Sequence, residues 1–200
     1  SLQDSATVLK EKLTRLSELR LKKMEDFDPQ PQPMHLTITI DDPVIIKRLA
    51  ETRETSLTIA PTDPHFSLQK SASDTHPASR WQRVRLKGER IYLNDAAILD
   101  PDRQVKIELS TSGHYLDDYH DSGLLQYIAD DSKHTFEYAP SADRGDPTAD
   151  ARDAEGFSYF LPTPFTTWTI RILNERSELK FDQLHSLTFE LFGIFSESDT

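Results

Sequence analysis

The sequence contains no cysteine, so disulfide staples and thiolate metal sites are both excluded. This absence does not fix the compartment, because a secreted protein can do without disulfides. Only six glycines occur in 200 residues. None of them builds a Gly-rich phosphate loop, which argues against a nucleotide site. The Gly-x-Ser-x-Gly elbow and the His-Glu-x-x-His zinc motif are also missing. No catalytic residue and no cofactor is therefore expected. No apolar run approaches the ~20 residues that span a bilayer. No signal peptide is evident, and the chain opens on Ser1 rather than Met, as expected of a processed protein or a fragment.

Positive charge is also in short supply. Lys plus Arg number 23 against 34 Asp plus Glu, a formal charge of −11. Such a field repels phosphate backbones and anionic lipid surfaces, so neither nucleic acid nor membrane is an expected partner. One local basic stretch, Arg80–Arg90, alternates its charges with apolar residues. That alternation predicts the solvent-facing side of a strand.

What is present divides into three parts: residues 1–28, 29–33 and 34–200. In the first, Leu2, Ala6, Leu9, Leu13 and Leu16 recur at alternating spacings of four and three, one apolar stripe on a helix reaching Phe27. The stripe either packs on its own domain, or it is the stub of a longer helical region or part of an oligomer seam. Three prolines within Asp28–Pro33 then predict a stiff connector. From Met34 the period becomes two: Met34 to Ile40 alternates without a break. Asp42-Pro43 predicts the start of a short helix to Thr52, with Val44, Ile45, Ile46 and Leu49 on its apolar face.

Further strands are expected at Ser56–Ala60, Val105–Leu109, Leu124–Ile128, His134–Tyr138 and from Phe165 to Ile172. Trp81 to Leu93 reads as one stretch or as a hairpin turning at Lys87-Gly88. Thr62–Ser79 reads as a loop anchored by Phe66 and Leu68, and Asp143–Gly156 as an acidic loop. Leu187 to Phe195 is apolar on both faces, which predicts a central, covered strand. Many short strands between polar turns indicate a mostly β protein. The expected architecture is an antiparallel, jelly-roll-like β-sandwich with an N-terminal helix and one short internal helix.

The densest polar cluster is Gly113–Asp121, which holds His114, Tyr115, Asp117, Asp118, Tyr119 and His120. Two imidazoles and three carboxylates could ligate a divalent metal, but the six-residue spacing of the histidines satisfies no metal rule. A solvated turn is the expectation, and these six residues are the candidate ligand-contact loop. The acidic run from Asp143 to Glu155 lacks calcium-loop spacing, and its Arg144-Gly145-Asp146 tripeptide is a chance match. Trp81 and Trp168 lie in apolar strand patterns, which predicts core packing over stacking on sugar rings.

Two groups of segments resemble a known family. The first is Asp42-Pro43-Val44-Ile45-Ile46-Lys47-Arg48-Leu49-Ala50-Glu51-Thr52, then the strand at Leu57, then Arg83-Val84-Arg85-Leu86-Lys87. The second is Trp168-Thr169-Ile170-Arg171-Ile172 followed by Phe181-Asp182-Gln183-Leu184-His185-Ser186-Leu187-Thr188-Phe189-Glu190-Leu191. Together they are similar to the C-terminal β domain of the A subunits of insecticidal Tc toxin complexes. The resemblance implies a β-sandwich within a large secreted toxin, preceded by the end of a helical region. It also implies a non-catalytic role in subunit assembly or docking, with protein subunits or the rest of its own chain as partners; the apolar stripe separately makes an oligomer through the N-terminal helix possible. A module that binds cell-surface glycan is the alternative, with Tyr115, Tyr119 and the tryptophans as contacts. A metal-dependent enzyme is the third.

Overall fold

The computed structural model describes residues 2–27, 31–66, 81–99, 103–119, 123–129, 132–139 and 161–197. The expected loop at 143–156 and the anchor Leu68 lie outside them. The first helix, α1 (Leu2–Phe27), has the bounds its apolar period predicts. Thr7 and Thr14 donate their hydroxyls to the carbonyls of Gln3 and Lys10 one turn back, both at 2.9 Å.

Strand β1 (Gln32–Ile40) begins earlier than the alternation suggests and takes in Pro33, so the connector is shorter than expected. An edge strand can carry a proline whose missing N–H faces away from its ladder. β1 is such an edge, since it pairs only with the last strand. Helix α2 (Pro43–Thr52) follows, with the Asp42 carboxylate accepting from the Val44 amide at 2.9 Å. Its end is set by Arg53, left-handed at φ 63°, whose amide donates to the Leu49 carbonyl at 2.8 Å. The expected apolar face is only partly right. Ile46 and Leu49, three apart, share the buried side, while Val44 is 74% exposed.

The remaining strands are β2 (Glu54–Thr58), β3 (Trp81–Asn94), β4 (Ala97–Ile98), β5 (Val105–Thr111), β6 (His114–Tyr119), β7 (Gly123–Ile128), β8 (Lys133–Tyr138), β9 (Thr167–Ile172), β10 (Leu179–Lys180) and β11 (Ser186–Glu197). One sheet has the order β1-β11-β3 and the other β2-β9-β5-β8; β6–β7 is a separate hairpin and β4–β10 a short ladder. Every pairing is antiparallel. The chain is thus mostly β, an antiparallel sandwich with a leading helix and one short internal helix. β1, β2 and β3 alternate between the sheets, and β11 is central, as its two-sided apolar pattern requires.

The core lies between the sheets. Trp168 on β9 meets Phe189 on β11 edge to face at 5.2 Å, and its indole N–H donates to the Pro164 carbonyl at 3.0 Å. Both rings are fully buried. The edges of the two sheets meet at β3 and β8. There Tyr138 packs on Tyr92 at 5.0 Å, and its hydroxyl accepts from the Leu93 amide at 2.7 Å. A backbone donor at the edge of β3 is thereby satisfied without another strand.

β3 is a single strand rather than a hairpin at Lys87-Gly88, but its pairing with β11 breaks twice. Phe192 pairs with Gly88 and Gly193 with Leu86, skipping Lys87; Ile194 pairs with Arg85 and Ser196 with Gln82. Each break is a bulge, and each extra residue reverses which side chains face the core. Hence Glu89, Ile91 and Leu93 share one face, whereas Val84 and Leu86 point inward beyond the bulge, all of them buried. Arg83, at the second bulge, has a φ of 49°. Gly193 makes the first bulge possible, because a Cβ there would lie 1.9 Å from the Arg85 carbonyl oxygen. Gly193→Ala should therefore cost about 3 kcal/mol of stability, as over-packing against backbone does. Urea denaturation is the check, and a loss within experimental error would mean the bulge relaxes freely.

Candidate functional site

The strand segment expected to show its basic side chains to solvent does the opposite at Arg85. Val84, Arg85 and Leu86, which lie between the two bulges, are all buried. The Arg85 guanidinium forms a two-point bridge to Asp117 on β6, Nη1 to Oδ1 at 2.9 Å and Nη2 to Oδ2 at 2.7 Å. Nη1 also donates to the Val84 carbonyl at 3.0 Å. The side chains are 7% and 6% exposed. Such a planar fork fixes orientation as well as distance.

A splint of irregular chain completes the attachment. The Leu86 amide donates to the Pro162 carbonyl at 2.8 Å, and the Leu116 amide to the Phe165 carbonyl at 2.9 Å. The Thr163 hydroxyl donates to the Leu116 carbonyl at 2.7 Å. Residues 161–166 therefore tie β3 to β6. On the hairpin itself, Tyr115 stacks on Tyr127 at 5.2 Å, and its hydroxyl pairs with that of Thr111 at 2.6 Å. Leu124, Leu125 and Ile128 of β7 are exposed. The hairpin is thus held through β6 and shows apolar side chains on β7.

The candidate ligand-contact segment is accordingly not a loop but strand β6. Tyr115 and Asp117 point to one side and are buried, with Asp117 committed to Arg85. Asp118 is buried as well, and His114 is exposed. Tyr119 pairs through its backbone with Gly123, and His120 lies outside the described residues. Among the described residues no three His, Asp or Glu side chains converge on a metal position. Of the tryptophans, Trp168 is core and Trp81 is half-buried, stacked on Phe195 at 3.9 Å. A second carboxylate is buried at the sheet junction: Glu89 on β3 lies 3.5 Å from Nδ1 of His134 on β8.

The other candidate, the α1 stripe, is fully displayed. Leu2, Leu9, Leu13 and Leu16 are 92%, 59%, 56% and 63% exposed, and Ala6 is exposed between them. The stripe does not pack on its own domain.

No family model and no curated protein matches this chain. Sequence reasoning missed Arg85, Thr163 and the Glu89–His134 pair. One signal for Arg85 was present: the apolar parity changes from even at Val84 and Leu86 to odd at Ile91 and Leu93, which marks a bulge.

Breaking the Arg85–Asp117 pair from one side should strand a buried charge. Arg85→Met or Asp117→Leu alone should cost about 3–5 kcal/mol, while the double variant recovers most of the loss. A double-mutant cycle by urea denaturation measures this, and two single losses under about 1 kcal/mol would show a solvated pair. Burial raises the Tyr127 phenol above its ordinary value, partly offset by its hydrogen bonding with Thr163. With the folded value raised, stability holds below the unfolded phenol's pH of about 10 and falls as pH climbs through the folded one. Tyr127→Phe should therefore show a shallower alkaline loss than the native chain in denaturation at stepped pH.

Proposed function

We propose that this chain is a non-catalytic binding and assembly domain of a larger, secreted, toxin-like protein, and that α1 is its contact with protein subunits. One observation carries the reading: five apolar residues on one face of a long helix are exposed while the sandwich has a buried core of its own. An exposed stripe of leucines stabilises nothing until another surface covers it. The arrangement of elements also supports the resemblance to the Tc toxin domain. Asp42-Pro43 caps α2 just before β2, Arg83–Lys87 lies in β3, and the Phe181–Leu191 segment leads into the central β11.

The test uses the Leu9→Asp, Leu13→Asp double variant. It should unfold within about 0.5 kcal/mol of the native chain, as surface changes do. It should also lose whatever association the native chain shows by light scattering or with an apolar heptad peptide. A large fall in its unfolding midpoint would show that the stripe belongs to the domain's own core. A native chain that binds neither itself nor such a peptide would likewise sink the reading. No helix among the described residues is long and apolar enough to cross a membrane.

A further inference from the structure

We infer that the partner seated on α1 is a helix of another polypeptide whose apolar stripe is bordered by carboxylates. This rests on the assembly reading above and names the partner for it. The alternating spacing of Leu2, Ala6, Leu9, Leu13 and Leu16 is that of a heptad seam, with Ala6 and Leu13 at one core position and Leu2, Leu9 and Leu16 at the other. A stripe of that period is suited to winding around a second helix.

The residues bordering the seam are Gln3, Lys10 and Ser17 on one side and Ser5 and Lys12 on the other. Every charge among them is positive. The carboxylates of the same segment, Asp4, Glu11 and Glu18, recur every seven residues on the face opposite the seam. All these side chains are exposed, so the segregation is open to a partner.

A second copy of this chain matches the pattern poorly. In a parallel pair, Lys12 meets Ser17 of the other copy and Ser5 meets Lys10, so no ion pair forms. In an antiparallel pair with Leu9 against Leu13, Lys10 approaches Lys10 and Lys12 approaches Lys12. A helix with Glu or Asp at its bordering positions meets both lysines with opposite charge. Charge in this place chooses the partner, and the apolar seam supplies the attraction.

The experiment offers the intact chain two labelled synthetic helices with the same heptad core, one with Glu and one with Lys at every bordering position, and reads binding by fluorescence anisotropy. The Glu helix should bind about tenfold tighter than the Lys helix, with the gap closing at high salt. The surface variant Lys10→Glu, Lys12→Glu should reverse the order. Equal binding of the two helices, lost in the Leu9→Asp, Leu13→Asp variant, would leave the assembly reading intact and overturn this one. So would a homodimer dispersed by that variant with no preference between peptides. Failure of both peptides with a monomeric chain would overturn the assembly reading as well.

Discussion

The close approach of two backbones at Gly193 is the constraint from which the rest of the sandwich follows. The Arg85 carbonyl occupies the space a side chain would need, so only a glycine lets the two backbones close up where β3 slips its register with β11. The extra residue there reverses the facing of β3, and the second bulge reverses it again. Between the two, Val84, Arg85 and Leu86 are all buried, as are Ile91, Tyr92 and Leu93 further along, because β3 is covered on both faces there. Val84 and Leu86 turn into the core, and the residue between them, an arginine, is turned the other way against β6. A packing requirement at one glycine thereby sets the direction of a charge.

That direction decides what happens to the hairpin. A two-stranded ribbon is marginal alone and needs a surface to hold it. Here its hold is largely polar: the Arg85–Asp117 bridge, the Thr163 hydroxyl on the Leu116 carbonyl, and the Leu116 amide on the Phe165 carbonyl. Desolvating the two charges offsets much of their attraction, so the bridge contributes little net stability against an apolar replacement. Its consequence is geometric. A two-point fork admits one orientation of β6 on β3, where a greasy contact would admit several. The prolines of the splint fit the same end, because their carbonyls accept from Leu86 and Trp168 at positions where they owe no amide of their own.

Most elements were legible because each carries a local signal. The stripe of α1, the Asp42-Pro43 cap and the alternation of Met34–Ile40 and Val105–Leu109 are fixed by near neighbours in sequence. What was not legible depends on residues far apart. Arg85 looks like the wet side of a strand until it is known that β6 covers that side, with Asp117 arriving from 32 residues away. The His114–Asp121 run looks like a solvated turn because its composition suits one. Its aspartate is buried only because an arginine from β3 comes to meet it. Val44 has the right residue type for the buried face of α2, but a helix of three turns resting on a sheet end covers only the Ile46–Leu49 side.

The same logic separates the two halves of the chain energetically. The sandwich satisfies itself: its core is closed by Trp168 on Phe189, and its β3 edge is finished by the Tyr138 hydroxyl. In α1 the backbone bonds are internal and the threonine hydroxyls fold back on the carbonyls one turn earlier, so its polar groups are content. Its leucines are not. Helix propensity alone holds a segment of this length only marginally in water, and tertiary burial of the apolar face normally supplies the remainder. Among the described side chains the sandwich does not supply it, since every one from Leu2 to Glu18 is exposed. For the segment from Leu2 to Glu18, the free energy that would make a firm helix therefore has to come from another surface.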